Sequence, residues 1–254
     1  MQVSNRFISV GLMLVVFLSF KCKKNDNNSS GSVSAGAVSI TSVVTAKYRP
    51  TVTVSNSGGS ITLKSNGTPD HVSPYWPAGK SLYEAQIAGQ IVNTGNIGVQ
   101  NFSMTIPTNP AEASSKEETS LGPIGMALNG VAIFNDREGG NVPVNAITLT
   151  TFDRAGAHNG PGNLYHYHCT GDFTGNDDAN LIGFLRDGFP IYARKDKDGT
   201  YPTNLDINGG HIAATTEFPA GIYHYHAANT AYLGSRFYIL KSGSYYGTKG
   251  TFTF

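Results

Sequence analysis

Charge is scarce in this sequence. Lys, Arg, Asp and Glu make up 14% of its 254 residues and leave a balance of only +1, against roughly 25% charged in an average globular domain. There is no basic stripe and no acidic tail, which excludes nucleic acid as a partner. Cysteine is rarer still. Cys22 and Cys169 are the whole supply, so a disulfide framework is excluded and the fold rests on its core, or partly on bound metal. Long Leu/Ala/Glu/Lys runs are missing, which argues against a helical bundle. Several catalytic signatures are missing too: Gly-X-Ser-X-Gly, His-Glu-X-X-His and a phosphate-cradling glycine loop. The long apolar run at the start, Phe7–Phe20, is too short to span a bilayer comfortably as a helix.

That run follows Arg6 and is followed at once by Cys22. The arrangement has the length and order of a signal peptide and resembles the start of a bacterial lipoprotein, in which such a cysteine is lipidated. The expected organisation is a signal peptide over 1–22 with lipidation at Cys22 and a flexible polar tether over 23–36. A β-rich domain then fills 37–254. The membrane, through the N-terminal lipid, is the expected partner, and the expected location is the cell envelope.

Glycine and aromatics are plentiful: 30 Gly, 13 Tyr and 13 Phe. This balance favours strands and turns. The expected fold is mainly β, a single globular domain of antiparallel sheets with an internal duplication. Thr51–Gly67 reads as two strands around Ser-Gly-Gly, and 91–107 as further strand. The stretch Asn109–Thr119 reads either as a short capped helix or as a surface loop, since it has almost no apolar face.

The duplication shows at fixed spacing. "IGMALNGVAIF" (Ile124–Phe134) aligns with "IGFLRDGFPIY" (Ile182–Tyr192), each with an Asn-Gly or Asp-Gly centre that suits a tight hairpin turn. The tetrapeptide Tyr-His-Tyr-His follows each at the same distance, at Tyr165–His168 and Tyr223–His226. A Gly-X-His precedes each, ending at His158 and His211. The repeat units run from about 120 to 169 and from 178 to 227.

Side chains alternate between faces of a strand. His166 and His168 therefore share one face, as do His224 and His226, while the tyrosines take the other. Two imidazoles at i and i+2 can converge on one cation, and a loop histidine can add a third ligand. The candidate metal ligands are His158, His166, His168, His211, His224 and His226, with His71 in "TPDHVSPYW" as a seventh. Asp70 beside His71, and Asp206 in "LDINGGH", are candidate partners that would orient the rings. Copper or zinc is the expected ion. The spacing leaves open one shared site or one site per repeat. Cys169 falls on the tyrosine side as a buried small hydrophobe. "KDKDG" and "GDFTGNDDAN" lack an EF-hand pattern and read as turn acids.

The pieces "NGTPDH", "IPTNP", "GMALNGVAIF", "GAH…YHYH", "IGFLRDGFPIY" and "LDINGGH" occur in an order that resembles the YHYH-domain proteins. That resemblance implies domain identity and export. It implies little about activity. A metal-binding protein, a metalloenzyme with an open coordination position, and a non-catalytic β binding module with YHYH as framework all stay open.

Overall fold

The computed structural model describes residues 38–254. The expected signal peptide (1–22), lipidation at Cys22 and tether (23–36) lie outside the described residues.

A short helix, α1 (Ile40–Lys47), starts where the Ser39 hydroxyl accepts the Ser42 N–H, which satisfies one of the free donors of the first turn. It leads to a hairpin of β1 (Thr53–Ser57) and β2 (Ser60–Ser65), then to β3 (Phe102–Pro107). β4 (Gly125–Ala127) and β5 (Ala132–Ile133) follow, then the small hairpin β6 (Arg137–Glu138) and β7 (Val142–Pro143). A second helix, α2 (Ala146–Thr151), precedes β8 (Ala157–Gly160) and β9 (Leu164–Tyr167). β10 (Leu181–Leu185), β11 (Pro190–Tyr192), β12 (Gly210–Ala213), β13 (Ile222–His226) and β14 (Thr251–Thr253) complete the chain.

Both expected central hairpins form: β4 pairs antiparallel with β5, and β10 with β11. Gly130 and Gly188 sit in their turns at φ +89° and +85°, a left-handed conformation that a side chain would strain. The residues before them, Asn129 and Asp187, cap the same turns by accepting the N–H two positions on, from Val131 and Phe189.

Among the described residues the strands make a four-stranded sheet, β1-β2-β3-β14, an eight-stranded sheet, β12-β13-β11-β10-β4-β5-β9-β8, and the β6-β7 pair. The sheets are mainly antiparallel, as expected, with two parallel pairings. β5 runs parallel to β9, and β11 parallel to β13. Each Tyr-His-Tyr-His strand returns to its hairpin through a long connection rather than a tight turn, and such crossovers permit parallel pairing. At the middle of the eight-stranded sheet Met126 lies opposite Phe184. Outward from that pair each half has the same order: hairpin, Tyr-His-Tyr-His strand, then an edge strand carrying the Gly-X-His histidine.

The two faces of this sheet bury different cores. Tyr165, Tyr167, Tyr223 and Tyr225 pack with Val131, Ile133, Leu185 and Ile191 on one face. On the other, Met126, Ala132, Phe184 and Tyr192 pack with Leu63 and Met104 of the four-stranded sheet and with Val43 and Val44 of α1. Removing the ring of Phe184, which is fully buried, would cost about 3–5 kcal/mol. Asn109–Thr119 forms no helix. It runs along the C-terminal segment through bridges Glu112↔Gly247 and Glu118↔Ser244, as expected of a stretch with no apolar face to bury.

Candidate metal centre

The period-2 alternation of β9 and β13 separates imidazoles from phenols. His166 pairs with Ala132 and His226 with Tyr192, both residues of the core beneath α1 and the four-stranded sheet. The edge strand then supplies the third ring. His158 on β8 lies opposite His166, and His211 on β12 lies opposite His224. The result is two separate clusters of buried imidazoles, His158/His166/His168 and His211/His224/His226. Five strand steps separate β9 from β13, roughly 24 Å at about 4.8 Å per step. Each half therefore gathers its own rings and no site is shared.

The glycine of each Gly-X-His has a specific task. Gly156 and Gly209 adopt φ +77° and +78°, and their carbonyls accept the N–H of His168 and His226, each at 3.1 Å. This pins the far end of the Tyr-His-Tyr-His segment beside the edge histidine. A Cβ on Gly156 would stand 2.5 Å from the Cys169 carbonyl oxygen.

The rings are held from behind through Nδ1. His166 and His224 meet the carbonyls of Leu164 and Ile222, both at 3.0 Å. His168 and His226 meet those of Asn135 and Ala193 at 2.6 and 2.8 Å. A carbonyl only accepts, so each of these Nδ1 atoms carries the proton. His158 Nδ1 lies 2.7 Å from the Thr151 hydroxyl, whose own proton goes to the Thr148 carbonyl. His211 Nδ1 lies 2.8 Å from Asn204 Oδ1. In the neutral rings Nε2 is then a bare lone pair. These lone pairs face one another: His158 and His166 at 3.2 Å, His211 and His224 at 3.2 Å, His211 and His226 at 3.3 Å.

A carboxylate lies beside each cluster. Glu138 Oε1, on β6, stands 3.4 Å from His158 Nε2 and 3.3 Å from His168 Nε2. Asp196 Oδ1 stands 3.0, 3.8 and 3.3 Å from His211, His224 and His226. Four donors bonded tetrahedrally at 2.0–2.1 Å to one ion would be about 3.3 Å apart. Asp196 and its three imidazoles gather within 4.8 Å of one another, whereas the first group consists of the three imidazoles alone and Glu138 approaches only His158 and His168. Sequence reasoning missed both acids. Asp196 belongs to "KDKDG", which reads as a turn, and Glu138 to "DREGG". A signal was present, because these acids are 58 residues apart, as are the paired histidines of the two tetrapeptides.

Burial strips water from the rings and disfavours their charged forms. Desolvation, reinforced by His158, lowers His168 to about 4, and desolvation lowers His224 to about 4 against the pull of the Ile222 carbonyl. His166 is driven well below the ordinary histidine range by burial and by its two neighbours. His226 also falls, with burial the main cause. Burial works against an ionised Glu138, while a proton on His158 or His168 favours it and holds its carboxyl below the usual range. Neutral imidazole beside ionised carboxylate is the state that metal ligation needs.

Three expected residues lie elsewhere. His71 sits on the tyrosine side, with Nε2 2.7 Å from the Tyr167 hydroxyl, Nδ1 2.9 Å from the Val72 carbonyl, and its ring stacked on Phe173. Both nitrogens are engaged, and it joins neither cluster. Asp70 accepts from Asn129 Nδ2 at 3.1 Å and belongs to neither cluster. Asp206 does not orient His211; Asn204 does. Asp206 accepts from the Tyr223 hydroxyl and from the N–H groups of Asn208 and Gly210, because its side chain lies on the phenol side of the strand. Cys169 is buried with Phe152, Phe237 and Ile239 in a third small core, a packing role as expected.

Residues 103–204 match the family model described as YHYH protein. The match takes in Tyr165–His168 and ends before Tyr223–His226. No curated protein and no solved structure matches the chain.

Proposed function

We propose, from the premise that residues 103–204 belong to the YHYH protein family, that this chain holds two divalent transition-metal ions at the cell envelope. Each half, on this reading a copy of one ancestral unit, binds one ion through three histidines and a carboxylate. The observation that carries the proposal is the convergence of unprotonated Nε2 atoms at 3.2–3.3 Å in both halves. Lone pairs packed so closely in a buried site repel one another unless a cation lies between them.

Zinc suits the arrangement better than copper(II). Four donors at tetrahedral separations match the closed sites that zinc occupies, whereas copper(II) favours a square-planar set. The metalloenzyme reading requires an open position for water or substrate. Asp196 stands where that position would be in the second cluster, so retention or transfer of the ion fits the geometry there better than hydrolysis. Export and anchoring through Cys22 belong to the same proposal, and a Cys22→Ser chain should leave the membrane fraction.

The deciding measurement is elemental analysis of protein purified without a His-tag. Two ions per chain are expected, with His166→Ala and His224→Ala each removing one. Folded protein with no metal, and with no thermal shift on adding zinc, would favour the non-catalytic β module instead.

A further inference from the structure

We infer that the two sites are unequal: the Glu138 site keeps its ion as a permanent part of the fold, and the Asp196 site exchanges its ion with chelating acceptors. This rests on the metal reading of both clusters.

The first observation concerns polar atoms left without partners. Glu138 Oε1 and His168 Nε2 are buried and form no hydrogen bond, to each other or to any other group. In the other cluster Asp196 Oδ1 lies in hydrogen-bonding geometry with His211 Nε2 at 3.0 Å, and His226 Nε2 with His211 Nε2 at 3.3 Å. Emptying the first site therefore exposes a larger penalty than emptying the second, where the donor atoms already lie in hydrogen-bonding geometry with one another.

A second, independent observation is how each edge histidine is held. Thr151, behind His158, is buried on helix α2 and tied to the Thr148 carbonyl. Asn204, behind His211, is exposed in an irregular segment before β12. Aromatic walls differ in the same sense. Phe152 stacks on His168 with an interplanar angle of 10° and meets His158 edge-on, while Phe134 covers His166 at 4.0 Å. In the second cluster Tyr192 takes the place of Phe134, 5.1 Å from His224, but among the described residues the aromatic neighbours of the His211 ring are the other two imidazoles, with nothing in the place of Phe152.

The test is release kinetics. Full-length protein loaded with two equivalents of zinc is mixed with excess EDTA, and residual protein-bound zinc is followed over time. Two phases of equal amplitude are expected, the slow one slower by a factor of about ten or more, the scale set by a single unpaired buried polar group. His211→Ala should remove the fast phase and leave the slow one. Should that variant misfold, Asn204→Ala should accelerate the fast phase alone. A single phase, or loss of the slow phase in either variant, overturns the inequality while leaving metal binding intact. Protein that takes up no zinc at all overturns both.

Discussion

His168 and His226 each direct Nδ1 at a main-chain carbonyl, of Asn135 and of Ala193, and both the rings and the carbonyls are 58 residues apart. A main-chain carbonyl cannot turn over to become a donor, so the tautomer is fixed by the sheet itself. Three residues further along the same segments come Glu138 and Asp196, the carboxylates beside the two clusters. One strand end thus sets a ring's orientation from behind and supplies the carboxylate that faces it in front.

Stripping the metal should destabilise the protein without disulfides to compensate. On the proposed reading each ion would tie an edge strand to its neighbour and to the loop after the next strand, so ligation and sheet closure would be one equilibrium. At free zinc about a hundredfold above its dissociation constant, one ion contributes about 2.7 kcal/mol, or a Tm shift of roughly 5–10 °C. A thermal melt with and without EDTA measures it. Superimposable curves would mean that the sites are empty or incidental.

The residues behind the rings provide a sharper contrast. Thr151→Ala should weaken zinc binding at the first site about 10–100-fold, since ring orientation is lost while every ligand remains. Asp206→Asn should leave zinc affinity at both sites unchanged and cost about 1 kcal/mol through its Tyr223 hydrogen bond. Competition titrations with a chromophoric chelator distinguish the two. A large affinity loss in Asp206→Asn would restore it as the partner of His211.

Much of this architecture was legible in the residues. Asn129-Gly130 and Asp187-Gly188 mark the hairpin turns, and period-2 alternation puts His166 and His168 on one face because nothing in a strand can undo it. The six clustered histidines are picked out by two similar sequence units rather than by any one motif. What was not legible depends on tertiary placement. Nothing local tells a turn acid such as Asp196 from one that folds back over a buried cluster. His71 was misleading for the converse reason: an Asp-His pair near an aromatic looks like a site, yet its ring is consumed by Tyr167 and Val72. Parallel pairing of β5 with β9 was hidden too, since the long connection between them gives no turn signal for the direction of return.

Acid should weaken the metal-free protein before it affects the loaded one. His168 and His224 sit at about 4 in the folded state and near 6.5 unfolded. Between those values the unfolded chain binds more protons, so stability is full above about 6.5 and falls as pH drops toward 4. The loss approaches roughly 3 kcal/mol for each ring. Urea melts of EDTA-treated protein at pH 7.5 and 5 would show it. Equal midpoints would mean that the buried rings ionise as freely as in solution.

Gly156→Ala and Gly209→Ala probe the backbone contact that both halves share. Each glycine holds φ near +77°, and each carbonyl accepts from a ligand histidine's N–H. Alanine at this φ costs about 1–2 kcal/mol in backbone energy alone. At Gly156 the new methyl also meets the Cys169 carbonyl oxygen at 2.5 Å, which must shift the residue next to His168. At Gly209 no atom lies within 4 Å of the added Cβ. Gly156→Ala should therefore lose zinc from the first site as well as stability, whereas Gly209→Ala should lose stability and keep near-normal zinc at the second. Zinc content and melting temperature, measured on the same samples, separate the two effects. Equal zinc loss in both variants would show that the left-handed backbone, rather than the clash beside Cys169, governs how the clusters are assembled.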